Sequence, residues 1–210
     1  MFEGMSNQLS TVNVKRRHIV TDINNIYIRD YDFDEELIEL LRTERVPWQK
    51  TSKNPVWDGG NLNMLTAYTL NWWNPENPKW VYKIDEMVQK FIADVDNDAK
   101  IVSLNRIHGL EFINDGTMRC HEAHQDQYIF DDQWTVLVHV YGSSGDTVFY
   151  KNMNIQEVIM SVPFRPGRML LYPSIYAHKG NLPTDDNRRC IINYLYKLDT
   201  VLRDKVKISK

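Results

Sequence analysis

From Ile101 to Leu198 the chain is a succession of short β-type runs, each closed by residues that turn the backbone, and nothing else in the sequence restricts the fold so tightly. IVSLNRIHGLEFI reads as one or two strands and MRCHEAHQDQYIF as another, and TVLVHVY, DTVFYK, IQEVIMSVPF, RMLLYP and RCIINYLYKL follow. Between them Asn114-Asp115-Gly116, Gly142 to Gly145 and Pro166-Gly167 supply the turn chemistry. Many short strands at this spacing predict an antiparallel sandwich or jelly roll. There is no internal repeat and no low-complexity tract.

The N-terminal half has a different texture. Residues 1–16 are polar and are expected to be poorly ordered. His18 to Arg29 alternates Ile, Val and Tyr and reads as one or two strands. In DYDFDEELIELLRTERVPW, Asp32 or Asp34 can cap a helix whose first turn carries Glu35 and Glu36, favourable at the positive end of a helix dipole. Leu37, Leu40 and Leu41 form its apolar stripe, and Pro47 stops it. Thr51 to Pro78, rich in Asn, Gly, Pro and Trp, predicts a long irregular connection with a short helix around Met64 to Tyr68. A second helix follows from Lys79 to Val95, with Val81, Ile84, Met87, Val88 and Phe91 at helical spacing. Both helices are expected to pack outside one sheet of the β-rich half, within a single domain spanning 1–210 whose barrel core is 100–197.

Composition narrows the functional classes. With 42% hydrophobic and 25% charged residues the chain has the make-up of a soluble globular protein. A formal charge of -3 argues against broad nucleic-acid binding, which needs surplus Lys and Arg to displace counterions. Cys120 and Cys190 are too few for a disulfide framework or a zinc ribbon and read as buried thiols. The first residues carry no apolar core after their charges, and no segment has the apolar length of a membrane span. A cytoplasmic location is the expectation, that of the host cell if a phage encodes the chain.

The chemistry gathers on His124, Asp126 and His178. Two imidazoles and one carboxylate make a facial triad, the ligand set that holds non-haem Fe(II) on one face and leaves the other open. His124-Gln-Asp126 is a weak signal alone; the second His far downstream and a basic pair beyond it, all in the β-rich half, sharpen it. Ligands at the ends of different jelly-roll strands can converge at the barrel mouth, where small-molecule sites form. An arginine after the second His can grip the distal carboxylate of a metal-bound acid through a planar fork. Other constellations fail. His121 and His124 are three apart in a strand-like run, whereas the zinc-protease motif needs i and i+4 on a helix. No nucleophile elbow, phosphate-binding glycine loop or C-x-x-C pair is present. His18, His108 and His139 have no ligand-like company and read as hydrogen-bonded core or surface residues. The six Trp, Trp72, Trp73 and Trp134 among them, are most simply packing.

His124-Gln-Asp126, GDTVFY (145–150), PGRMLLYPSIYAHKG (166–180) and NRRCIINYLY (187–196) together resemble the Fe(II)- and 2-oxoglutarate-dependent dioxygenases, in particular the prolyl-4-hydroxylase-like and small phage-type members. IRDYDFDEELIELL looks like the strand-then-helix opening common in that group. The resemblance implies a double-stranded β-helix (a cupin-like jelly roll) and iron bound by His124, Asp126 and His178. It also implies 2-oxoglutarate as cosubstrate, O2 as oxidant, and an arginine on the last barrel strand for the distal carboxylate. Arg189 is preferred over Arg188, because an inward Arg189 also turns Asn193 toward the site and leaves Cys190, Ile192, Tyr194 and Tyr196 for the helices. Ile191 then stands where the family has Ser or Thr, and no tyrosine is assigned to the cosubstrate. The implied reaction is hydroxylation of a C–H bond in a peptidyl or small-molecule substrate, releasing succinate and CO2. The rivals are a non-catalytic jelly-roll binding or virion-associated protein with a vestigial metal site, and a cupin-like enzyme using another metal without 2-oxoglutarate. The primary substrate and the oligomeric state are left open.

Overall fold

A computed structural model describes residues 17–23, 25–45, 48–50, 64–70, 78–113, 123–126, 133–154, 157–181, 183–184 and 188–199. Strands β1 (Arg17–Ile23) and β2 (Ile26–Asp30) form a hairpin. Its turn puts Asn25 at φ 65, a conformation that Asn tolerates better than most side chains. Helix α1 (Glu35–Thr43) begins where Asp34 accepts a hydrogen bond from the Leu37 N–H at 2.7 Å, so Asp34 rather than Asp32 is the cap. Strands β3 (Trp48–Lys50) and β4 (Met64–Leu70) precede helix α2 (Lys79–Val95). Then come β5 (Lys100–Ile113), β6 (Gln133–Tyr141), β7 (Thr147–Tyr150), β8 (Val158–Val162), β9 (Arg168–Pro173), β10 (His178–Gly180) and β11 (Arg188–Asp199).

All strand pairings among the described residues are antiparallel. An eight-stranded sheet runs in the order β1-β2-β9-β6-β11-β5-β4-β3, and a three-stranded sheet in the order β10-β7-β8. Two cores follow from the alternation of side chains along the strands. Outside the large sheet, Cys190, Ile192, Tyr194 and Tyr196 of β11 pack with Val136, Val138, Met169 and Leu171 against Trp80, Ile84, Val88 and Phe91 of α2 and Leu37 of α1. Between the sheets, Ile191, Leu137, Leu170, Tyr172, Ile26 and Ile28 meet Phe149 and Val162. The helices thus cover one face of one sheet, as expected, and the other face closes on the small sheet.

Met64 to Tyr68 is a correction: the expected short helix is part of strand β4. A short apolar run has no periodicity that separates helix from strand. Backbone pairing decides here, since β4 lies between β3 and β5, with Met64 opposite Phe112 and Leu70 opposite Ile107. The rest of the stretch expected to be irregular, 51–63 and 71–77, lies outside the described residues. The expected strand MRCHEAHQDQYIF is also not continuous: residues 123–126 carry only an isolated bridge from His124 to His178. Residues 1–16, His121, Trp72 and Trp73 lie outside the described residues.

Candidate metal centre

Backbone hydrogen bonds bring the triad together before its side chains are considered. The His124 N–H donates to the His178 carbonyl and the His178 N–H to the His124 carbonyl, each at 2.9 Å, while the Asp126 N–H donates to the Ser174 carbonyl at 3.0 Å. The Gln125 amide donates to the Ile175 carbonyl as well. His178 is set by β10, which pairs with β7 through His178 opposite Phe149. One ligand atom each from His124, Asp126 and His178 falls within 4.8 Å of the others, and the two imidazole rings are 4.5 Å apart.

A single row across the large sheet then encloses Asp126. Arg106 stands opposite Leu195, Leu195 opposite Thr135, and Thr135 opposite Tyr172. Three of these four side chains donate to the Asp126 carboxylate: Arg106 Nη2 to Oδ1 at 3.1 Å, the Thr135 hydroxyl to Oδ2 at 2.8 Å, and the Tyr172 phenol to Oδ2 at 3.3 Å. Asn193, two residues along β11, donates from Nδ2 to Oδ1 at 3.0 Å. Burial alone would raise the Asp126 carboxyl, but His178, His124, Arg106 and the Asn193 amide around it outweigh that and hold the group well below the usual carboxylate range. His178 Nδ1 lies 3.0 Å from the Tyr176 carbonyl. A carbonyl only accepts, so Nδ1 of the neutral ring carries the hydrogen and Nε2 presents a lone pair. Burial, followed by the Asp126 charge, pushes the Tyr172 phenol well above its ordinary range.

The basic pair is divided by the sheet. Arg189 is fully buried, donating from Nη1 to the Asn181 carbonyl at 3.1 Å and from Nη2 to the Thr147 hydroxyl at 3.3 Å, with its guanidinium 5.2 Å from the Phe164 ring centre. Burial lowers its pKa to about 10, against the raising influence of Asp146. Arg188 points to the other face, with its side chain 62% exposed and 3.7 Å from the Glu111 carboxylate. Arg189 shares its face with Asn193, four residues further along β11, as the two-residue period of a strand requires. Gly180 lets the guanidinium lie where it does, because a Cβ there would stand 2.6 Å from Arg189 Nη1.

His139 is buried beside Arg189. Its Nδ1 accepts from the Arg165 N–H at 3.2 Å, so Nε2 carries the hydrogen toward the Thr147 hydroxyl, 3.3 Å away. Burial and the neighbouring Arg189 and Arg168 charges push this imidazole well below its ordinary pKa, keeping it neutral. Thr147, Thr135, Tyr172 and Arg106 were given no role by the sequence. The register from an inward Arg189 was the available signal, because cross-strand neighbours share a face, but strand pairings are not readable from one chain.

No family model matches the chain, and no curated protein does. Against solved structures the likeness is one of fold. A prolyl hydroxylase from Trichoplax adhaerens, in complex with a hypoxia inducible factor oxygen degradation domain peptide fragment, superposes with a TM-score of 0.56 at 14% identity, over 89% of this chain and 88% of that one. HygX from Streptomyces hygroscopicus, with nickel and 2-oxoglutarate bound, gives 0.53 at 14% identity over 82% of each chain. A Pseudomonas putida prolyl-4-hydroxylase gives 0.51 at 9% identity, over 82% of this chain and 92% of that one. The two facing sheets are thus the double-stranded β-helix on which 2-oxoglutarate oxygenases are built.

Proposed function

We propose that the chain is an Fe(II)- and 2-oxoglutarate-dependent oxygenase that hydroxylates a C–H bond of a peptidyl or small-molecule substrate. The observation that carries this reading is the convergence of His124, Asp126 and His178 in a fold whose solved relatives include a protein with nickel and 2-oxoglutarate bound. The donor set fits a divalent first-row metal: two imidazoles and one ionised carboxylate, the ligands of a facial triad. Asp126 is held as the anion, and the His178 tautomer offers Nε2.

Ferrous ion held by His124, Asp126 and His178, with 2-oxoglutarate and O2, would supply the oxidation: one oxygen atom of O2 ends in succinate, formed with CO2 from 2-oxoglutarate, and the other in the hydroxyl group placed on the substrate carbon. The protein's part is to hold and orient. Arg106 and Asn193 fix Asp126 through Oδ1, which keeps Oδ2 as the oxygen nearer His178. Arg189 is the cation for the distal carboxylate of the cosubstrate, buried where water cannot weaken a charge-assisted pair. Thr147 supplies the hydroxyl that Ile191 lacks. Its oxygen accepts from Arg189 and from His139, so its single hydrogen remains for a carboxylate oxygen. The relatives whose names include a prolyl hydroxylase support a peptidyl substrate, and HygX, also solved with hygromycin B, supports a small molecule.

The test is anaerobic loading of Fe(II) followed by 2-oxoglutarate and air, with succinate measured in the presence and absence of candidate substrates. Succinate is expected from the unmodified protein even without substrate, at a low uncoupled rate, and none from Asp126→Ala. Equal succinate from both proteins would sink the proposal.

A further inference from the structure

The inner face of β11 sets the groups around the proposed metal centre along one line. Arg189, Ile191, Asn193, Leu195 and Lys197 alternate onto this face, and Asn193 is the member that reaches Asp126. Arg106 of β5 stands opposite Leu195, on the far side of Asn193 from Arg189. At about 3.3 Å per residue the two arginine rows lie roughly 20 Å apart along the strand, with Asp126 held between them. The Arg189 end is closed, since that side chain is fully buried. The Arg106 end is open: its side chain is 30% exposed, against 4% for Asp126, and Lys197 in the next row is exposed as well.

Holding Asp126 occupies little of Arg106. A guanidinium presents several N–H donors in a fixed plane. Here Nη2 donates to Asp126 Oδ1 at 3.1 Å, and Nε is buried without an acceptor. Asp126 is the one carboxylate paired with Arg106 among the described residues. The formal charges, on the function proposed above, point the same way. Ferrous ion, Asp126, Arg189 and doubly charged 2-oxoglutarate cancel, so Arg106 leaves the loaded centre with an uncompensated positive charge at its open end. Such a charge draws in an anion, and a planar guanidinium matches a carboxylate through two parallel N–H bonds.

We propose that Arg106 recognises the primary substrate, and that this substrate carries a carboxylate: the α-carboxylate of a free amino acid or the side chain of an Asp or Glu residue. Arg106 grips that carboxylate at the open end of the centre while its Nη2 stays on Asp126, which fixes the distance between the substrate's acidic group and the metal.

The experiment measures binding rather than turnover, on the full chain loaded with Zn(II), which has no redox chemistry, and with saturating 2-oxoglutarate. Calorimetric titration compares matched pairs: each free amino acid against its α-carboxamide, and capped tripeptides centred on Asp or Glu against those centred on Asn or Gln. The unmodified protein is expected to bind at least one acid roughly tenfold to a hundredfold more tightly than its amide, and the arm in which this occurs names the source of the carboxylate. Arg106→Gln keeps an N–H for Asp126; it is expected to take up zinc at the parent's stoichiometry when metal is saturating, and to lose the preference. Arg106→Lys keeps the charge without the fork and is expected to retain part of it. A panel in which no acid is preferred to its amide, absence of all binding included, would overturn the proposal, as would a preference that survives in Arg106→Gln. Weaker 2-oxoglutarate binding in that variant, with binding of the acid unchanged, would assign Arg106 to the cosubstrate and overturn it too. A folded Arg106→Gln that takes up no zinc would confine Arg106 to holding Asp126, with the same result. Failure of the unmodified protein to bind zinc or 2-oxoglutarate would instead remove the metal reading, and this inference with it.

Discussion

Arg188 and Arg189 are chemically identical neighbours on one strand, yet one is exposed beside Glu111 and the other is fully buried between the sheets. The difference is the alternation of a strand, and it yields a sharp expectation. Arg189→Ala removes charge-assisted hydrogen bonds worth about 1.5–3 kcal/mol each. It should weaken 2-oxoglutarate by roughly tenfold to a hundredfold or more, measured by titration calorimetry on the metal-loaded protein, while metal affinity is kept. Arg188→Ala should leave both unchanged. The reverse pattern would place the cosubstrate on the wrong face of β11. His124, Asp126 and His178 were legible as residue types in the sequence, as was Asn193 turning toward them, because a two-residue period needs only one chain to be read. Thr135, Tyr172 and Thr147 were not, because what selects them is a neighbour on another strand.

At the scale of elements, α2 is held by a stripe that the sequence displays openly: Trp80, Val81, Ile84, Val88, Phe91 and Ile92 are all buried. The outer row of β11 meets it, and the Tyr194 hydroxyl donates to the Val81 carbonyl at 3.1 Å while the Tyr196 hydroxyl donates to Asp85. Trp80→Ala should therefore cost about 3–5 kcal/mol of stability, read as a lower urea midpoint. The variant should retain the metal affinity of the parent, because α2 packs on the face opposite the site. Loss of metal binding in a variant that is still folded would show the two faces to be coupled. Strand β4 illustrates the opposite case, an element whose sequence is indifferent between helix and strand and whose state is fixed by β3 and β5 on its two sides.

At the scale of the molecule, the proposed ligands come from segments that fold onto one another only when both sheets are in place. His124 bridges to His178, which β7 aligns, while Asp126 is enclosed from β5, β6, β9 and β11. Metal binding should thus stabilise the native state as a whole. An ion at a hundred times its dissociation constant adds about 2.7 kcal/mol, a rise in Tm of roughly 5–11 °C for a domain of this size. Thermal melting with Fe(II) under anaerobic conditions should show the rise, a chelator should reverse it, and Asp126→Ala should abolish it. An equal rise in that variant would mean that the ion binds elsewhere.

By itself the sequence determined both helices and most of the strands, though not β3, β4 or the break at 123–126, together with the outward and inward faces of β11 and the kinds of side chain that can hold a metal, because periodicity and ligand chemistry are local properties. Only the tertiary structure decided which donors surround Asp126, that Thr147 and His139 accompany Arg189, and that the Tyr172 hydroxyl reaches both Asp126 and His178. Those contacts join residues far apart in the chain through strand register, and register is a property of paired strands that no single stretch of sequence contains.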